Sequence, residues 1–294
     1  MSRLNVTLAD IAEEAGVSVS TVSRALADSP LISTEVKYMV KAIAKAKNYR
    51  VNHAARNLRL QRTGNVAVLT PIEATDTEIL SNPFILEFLG AVAHALRQNE
   101  YNLLLLREKM LSSHRLQSTM ADGFIQLGHS LDPTHLNELT VNVPFIVWGP
   151  RLEGQTYTSV GIDNREMSRQ ATVVEYSDYS PASGKAATER LLEHAPDIDA
   201  IFAAHSDMVA MVSIEVLRAR GRRVPDDVAV IGFDNVTMGQ HLEIPLTTVS
   251  QNLEPYGAAL LVDMLCRQMD GETVDPVTIE GDLIVRQSSG AVRT

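Results

Sequence analysis

The sequence predicts a small all-α head bearing a helix-turn-helix, followed by a two-lobed α/β body. Three observations carry this. Residues 7–26, TLADIAEEAGVSVSTVSRAL, hold two short helical apolar patterns on either side of a glycine. From Gly64 onward, short apolar runs alternate with amphipathic helical stretches, the pattern of parallel βαβ units. The charge is also uneven. Residues 1–62 carry ten Lys/Arg and five Asp/Glu, a balance of +5, whereas the whole chain is −10 and the remainder therefore −15. A basic head on an acidic body points to a polyanion that meets the head alone. The expected organisation is a DNA-binding head over residues 1–50, a hinge helix and linker over 51–62, and a core of two lobes over 63–294.

Each head element has a local cause. Leu8, Ile11, Ala12 and Ala15 fall on one face of a first helix, which Thr7 and Asp10 open as a capping pair. Gly16 stops it, because glycine takes positive φ at little cost. Ser18 caps a second helix whose Val22, Ala25 and Leu26 turn inward. Val19, Ser20, Thr21, Ser23 and Arg24 are left outside. A small, hydroxyl-rich outer face lets a helix sit deep in a major groove, with Arg24 reaching a base edge or a phosphate. A merely solvated helical hairpin would carry more Lys and Glu there. Ser33 caps a third helix with Val36, Val40, Ile43 and Ala44 on its inner face, and its lysines face solvent. Then YRVNHAARNLRLQRTG allows a short helix from Asn52 to Leu58, too short to be stable alone. Leu58 either packs on the body or wedges between base steps in a minor groove.

Composition narrows the class. With 45% hydrophobic and 21% charged residues the chain reads as globular. No apolar run reaches the ~18 residues that span a bilayer. MSRLNVTLADIAEEAG has no signal-peptide core, so cytoplasmic residence without membrane association is expected. The single cysteine, Cys266, lies in an apolar helical pattern and reads as packing. There is no GxxxxGK[ST], GxSxG, HExxH or CxxC, and the histidines are scattered. An enzyme, a catalytic residue, a metal and a cofactor are not expected.

The stretch TLADIAEEAGVSVSTVSRAL together with NHAARNLR resembles the head and hinge of the LacI/GalR family of bacterial transcription regulators. The resemblance implies that Val19, Ser20 and Arg24 contact operator bases, that the hinge helix forms on the operator, and that Leu58 intercalates at the centre of a palindrome. Thr7, Thr21, Ser23, Asn52 and Ala55 complete the expected DNA-binding set. The family usually has proline where this chain has Val51.

DAIFAAHSDMVA, VPDDVAVIGFDN and IPLTTVSQ continue the resemblance into an effector-binding core with the fold of periplasmic sugar-binding proteins. Ligands in open α/β sheets bind beyond the carboxyl ends of the strands. Phe84, Trp148, Tyr179, Asp207 and Asp234 fall there, and aromatic rings with carboxylates suit a small polar metabolite, a sugar first among them. Each has a plainer alternative: Trp148 as core, Asp207 at a helix start, Asp234 as a turn residue.

The stretch VGIDNREMSRQATVVEYSDYSPASG raises a question of completeness. The family pattern has a further strand and helix between SRQAT and VVEY, so roughly 45 residues are missing near Thr172/Val173. The absent segment includes the strand expected inside the second sheet, so strain, an exposed edge or re-pairing of VVEY is expected in that lobe. The leading function is a homodimeric, sequence-specific repressor that reads a palindromic double-stranded operator under control of a small effector. The alternative is a defective or effector-insensitive regulator that binds DNA without ligand response. A plain solute-binding protein is disfavoured by the head.

Overall fold

The structure, a computed structural model, describes residues 6–26, 28–47, 49, 62–70, 82–107, 121–129, 133–163, 173–177 and 180–291. It separates into two compact units, Met1–Gln61 and Arg62–Thr294.

In the first unit α1 (Leu8–Ala15), α2 (Val19–Leu26) and α3 (Thr34–Ala46) enclose Ile11, Ala12, Val22, Ala25, Val40 and Ala44. The Asp10 N–H donates to the Thr7 hydroxyl at 3.4 Å and the Thr7 N–H donates to the Asp10 carboxylate at 2.7 Å, a reciprocal cap. Gly16 ends α1 at φ 65°, the left-handed position expected of it. The Ser18 hydroxyl takes the Thr21 N–H at 3.1 Å, and the Ser33 hydroxyl takes the Val36 N–H at 3.4 Å. The α3 lysines are partly committed within the head: Lys41 pairs with Asp28 at 2.6 Å, Lys37 donates to the Asp28 carbonyl at 3.0 Å, and Lys47 pairs with Glu14 at 2.6 Å.

The second unit contains two sheets among the described residues. The first has the order β2 (Asn102–Arg107), β1 (Asn65–Thr70), β3 (Gly123–Leu127), β4 (Phe145–Trp148), β5 (Thr158–Gly161) and β9 (Val277–Thr278), all parallel. The period-two alternation of strand side chains divides its core. Val66, Val68, Ile125, Ile146 and Trp148 face α4 (Pro83–Gln98) and α8 (Ala258–Met269), whereas Ala67, Leu69, Phe124, Phe145 and Val147 meet Leu136 of α5 (Pro133–Leu139). The second sheet has the order β10 (Asp282–Ile284), β8 (Thr247–Ser250), β7 (Ala229–Asp234) and β6 (Ala200–Phe202), with only the β10–β8 pair antiparallel. α6 (Pro181–His194) and α7 (Asp207–Ala219) pack with it around Leu192, Ile201, Val209, Leu217, Val230 and Leu246. Among the described residues no helix is long and apolar enough to cross a membrane.

The structure assigns one helix to its lobe and overturns one expected strand. The C-terminal apolar helix, α8, belongs to the first lobe, because its Leu261, Met264 and Leu265 bury against α4 and the first sheet. Cys266 sits half-buried at that core. VVEY is not a strand. Val173–Tyr176 pairs with neither sheet, and Tyr176 is 85% exposed. Glu175 instead clamps the segment to α6, taking Arg190 Nε at 2.9 Å and pairing with His194 Nδ1 at 2.8 Å, while Arg190 donates to the Tyr176 carbonyl at 3.0 Å. β6 is therefore the outermost strand of the second sheet among the described residues. The re-pairing that would have hidden this edge does not occur.

The chain passes between the sheets three times: after β5, after β8, and between β9 and β10. Ile162 on the first passage packs with Phe233 and Val249. Asn252 on the second donates to the Glu280 carbonyl and the Asp282 carboxylate on the third, both at 3.0 Å. Above β5, Gly161 lies so near Gly149 that a Cβ would come within 2.6 Å of the Gly149 carbonyl carbon. Gly161→Ala is therefore expected to destabilise the body by about 1–3 kcal/mol. A urea titration should show a lower midpoint with an unchanged slope.

Candidate DNA-reading face and inter-lobe cleft

On α2, Val19, Ser20 and Arg24 are exposed, Thr21 and Ser23 are half-buried, and Val22 and Ala25 form the opposite, wholly buried face. The capping Ser18 hydroxyl also bonds those of Ser20 and Thr21, each at 2.8 Å, so these two are oriented before any ligand arrives. Thr7 is exposed at the start of α1, its hydroxyl donating to Asp10 at 2.9 Å. Asn52, Ala55 and Leu58 lie outside the described residues, as does Tyr179.

A cavity of about 170 Å³ opens between the two lobes. The first lobe contributes Asn82, Phe84 and Ile85 at the start of α4, Leu127–His129 after β3, and Trp148–Pro150 after β4. The second contributes His205, Phe233 and Asp234, and the passages between lobes contribute Ile162 and Gln251. These are carboxyl ends of strands, where open α/β sheets bind ligands. Phe84, Trp148 and Asp234 thus line one cavity, and Trp148 is at the same time part of the first lobe's buried core. Phe88 lies behind them, its ring 5.8 Å from that of Trp148 and 6.4 Å from that of Phe84.

Sequence reasoning missed the residue that joins them. The Trp148 indole N–H donates to Gln251 Oε1 at 3.1 Å, and the Gln251 amide donates to Asp234 Oδ1 at 2.6 Å. One side chain so spans from the first lobe to the second. A glutamine after a strand has no periodicity to mark it. His129 was also missed. Its Nε2 bonds the Pro150 carbonyl at 2.7 Å and its Nδ1 bonds the Tyr157 hydroxyl at 3.2 Å. Because a carbonyl only accepts, Nε2 carries a proton in this arrangement.

Asp207 does not line the cleft. It is wholly buried at the start of α7, where its carboxylate accepts the Thr248 hydroxyl at 2.6 Å and the Val236 N–H at 2.8 Å. The expectation fails because the chain turns this carboxylate inward to satisfy the β7 and β8 ends. Burial raises its pKa from 3.8 to about 6, against the pull of those hydrogen bonds. Asp234, at φ 116°, holds a conformation that non-glycine residues rarely adopt. Its pKa is also raised well above the ordinary value, first by burial and then by the Asp207 carboxylate; the Gln251 amide and the Asp207 N–H pull the other way.

A pH signature follows for Asp207. The folded state holds a proton that the unfolded chain has released between pH 3.8 and about 6. Its contribution to stability is thus greatest below pH 3.8 and falls by roughly 3 kcal/mol as pH rises through 6. Asp207→Asn should flatten this fall, read as the change in melting temperature between pH 4.5 and 7. An undiminished slope would show that Asp207 does not titrate there.

Comparison with known proteins gives these sites their context. The model for bacterial regulatory proteins of the lacI family matches residues 7–52, and that for the periplasmic binding protein-like domain matches residues 155–289. The HTH-type transcriptional regulator CelR of Thermobifida fusca is 33% identical, the alignment covering 97% of this chain and 99% of that protein. That alignment runs over 343 positions, more than the 294 residues here, so part of the relative faces gaps, consistent with an internal deletion. The ribose operon repressor of Halalkalibacterium halodurans is 27% identical over 96% of this chain and 97% of its own. Among solved structures, a CelR–cellobiose complex superposes with a TM-score of 0.66 at 30% identity, covering 96% of this chain and 99% of that one. The lac repressor dimer bound to operator and an anti-inducer shares the fold, with a TM-score of 0.74 at 20% identity, covering 97% and 99%. With its helix-turn-helix head and its two-lobed α/β body, the chain belongs to the lacI family of bacterial transcription regulators.

Proposed function

We propose that the protein is a homodimeric repressor whose heads read a palindromic operator and whose cleft takes a sugar as effector. The observation that carries the effector reading is the Trp148–Gln251–Asp234 chain of hydrogen bonds, which places an aromatic ring and a carboxylate on opposite walls of one cavity. The CelR–cellobiose complex and the ribose operon repressor support a sugar. In this reading, Val19, Ser20, Thr21, Ser23 and Arg24 read the major groove with Thr7 on the flanking backbone. Residues 51–62 form the hinge, with Asn52 opening it, Ala55 against the minor groove and Leu58 wedged at the palindrome centre. Tyr179 and Phe84 flank the effector, and the protein works in the cytoplasm.

A second reading is favoured by one observation. Among the described residues the second sheet has four strands, and Val173–Tyr176 stays outside it. A lobe shortened near Thr172 binds DNA through the heads and responds to effector weakly or not at all.

Fluorescence anisotropy at one fixed salt concentration separates the two, since non-specific binding depends steeply on salt. A repressor held as a dimer prefers a palindrome with a central C–G step to random DNA by about a hundredfold or more, and an added effector sugar shifts that preference. The insensitive regulator keeps the preference and shows no shift. Arg24→Ala should cost about 1–3 kcal/mol on the operator. An equal loss on random DNA would assign it to phosphate. Leu58→Ala should weaken operator binding while the head stays folded.

A further inference from the structure

The second unit opens at Arg62, and residues 62–64 are fastened to the ends of three elements of the first lobe: α8, β2 and β3. Asp122, just ahead of β3, takes the Thr63 N–H at 2.6 Å and the Thr63 hydroxyl at 3.0 Å on Oδ1, and the Gly64 N–H at 2.8 Å on Oδ2. Gly64 turns at φ 75°, and its carbonyl takes the N–H of Asn102, the first residue of β2, at 3.0 Å. Both oxygens of the Asp122 carboxylate thus hold the turn that leads into β1.

Arg62 adds the connection to a helix. Its Nη2 donates to Asp270 Oδ1 at 2.6 Å and to the Met269 carbonyl at 3.4 Å, and its Nη1 donates to the Tyr101 hydroxyl at 3.2 Å. A guanidinium suits the carboxyl end of α8, where the helix dipole presents negative charge. α8 is a firm support, because its Leu261, Val262 and Leu265 are wholly buried in the core of the first lobe. The ion pair itself is exposed, 40% on the arginine and 63% on the aspartate, so it contributes little to the stability of the body. What it fixes is a direction. Residue 61 is one peptide bond from Arg62, and with Asp122 holding the next two residues, three elements define where the chain leaves the lobe. Two heads read two half-sites only when their spacing is held, and a loose attachment dilutes the second head around its site.

We infer that Arg62, gripped by Asp270 and Tyr101, is a positioning residue for operator reading: it fixes the exit of the linker from the first lobe, so that both heads of a dimer reach their half-sites together. The inference rests on the reading of residues 51–62 as the linker to a DNA-binding head.

The full chain is first used to enrich a duplex from a library of palindromes with randomised half-sites. Fluorescence anisotropy then compares that duplex with random DNA at one fixed salt concentration. Asp270→Ala decides the sign. It removes a negative charge, so if Arg62 served only as a phosphate contact, binding to both duplexes would strengthen or stay level. The expected result is the opposite. Preference for the enriched duplex falls about fivefold or more, one exposed ion pair being lost in each chain of the dimer, while random DNA binds as before. Arg62→Ala should match this loss, and the double variant should lose no more than either single one, because the two side chains act as a unit. Tyr101→Phe, which keeps the ring and removes only the acceptor, should give a smaller loss in the same direction. All melting temperatures should stay near that of the unaltered chain. Equal weakening of both duplexes by Arg62→Ala, with no loss from Asp270→Ala, makes Arg62 a phosphate contact and overturns the inference. Additive losses, or losses that follow a fall in melting temperature through all the variants, overturn it as well. Failure of the unaltered chain to enrich any palindrome overturns the linker reading and the inference together.

Discussion

The buried carboxylate of Asp207 is the constraint around which the second lobe is arranged. It takes a hydroxyl from β8 and an N–H from the turn after β7, so the first residue of α7 ties the two strands to one another. Its charge also reaches Asp234 and with it the cleft wall. Further buried polar pairs repeat this stitching. Thr188 of α6 and Ser213 of α7 share a hydroxyl bond at 2.8 Å. Ser288 donates to the Val230 carbonyl at 2.6 Å and takes the Thr247 N–H at 2.8 Å. Fully satisfied buried networks of this kind specify one arrangement. They join α6 to α7 and the C-terminal segment to β7 and β8.

The head was legible in the sequence because its causes are local. A capping pair, a glycine and a helical period all act within a few residues, and the structure places Thr7, Gly16, Ser18 and Ser33 in the roles their chemistry implies. The body was legible as alternating elements but not in their assignment to lobes. Nothing within AALLVDMLCRQM says which sheet it will cover; that depends on the chain returning to the first lobe after β8. VVEY has strand-forming residues, and the sequence cannot show that no neighbour awaits them. Trp148 and Asp234 close their strands and Phe84 opens a helix, positions that chain order alone marks as facing the cavity. The same rule misplaced Asp207, because a carboxylate at a helix start can turn toward ligand or toward its own strands. Gln251 and His129 matter only through partners seventeen or more residues away.

The two units meet their ligands by opposite electrostatic logic. The head presents Arg24 and a hydroxyl-lined helix with its polar groups oriented in advance, suited to a polyanion whose shape is constant. The cleft holds a carboxylate of its own, Asp234, and the helix N–H groups at the start of α4 are taken up by Asn82.

Of the three passages between the lobes, Asn252 ties the second to the third, and Ile162 on the first packs on Phe233 and Val249 of the second sheet. Parallel connections fastened together leave little freedom to slide or separate, and chiefly permit turning about a common axis. The Gln251 side chain sits on the second of those passages and reaches a residue of each lobe, so anything that displaced it from Trp148 or Asp234 would act where the lobes are joined, and on the angle between them before their separation.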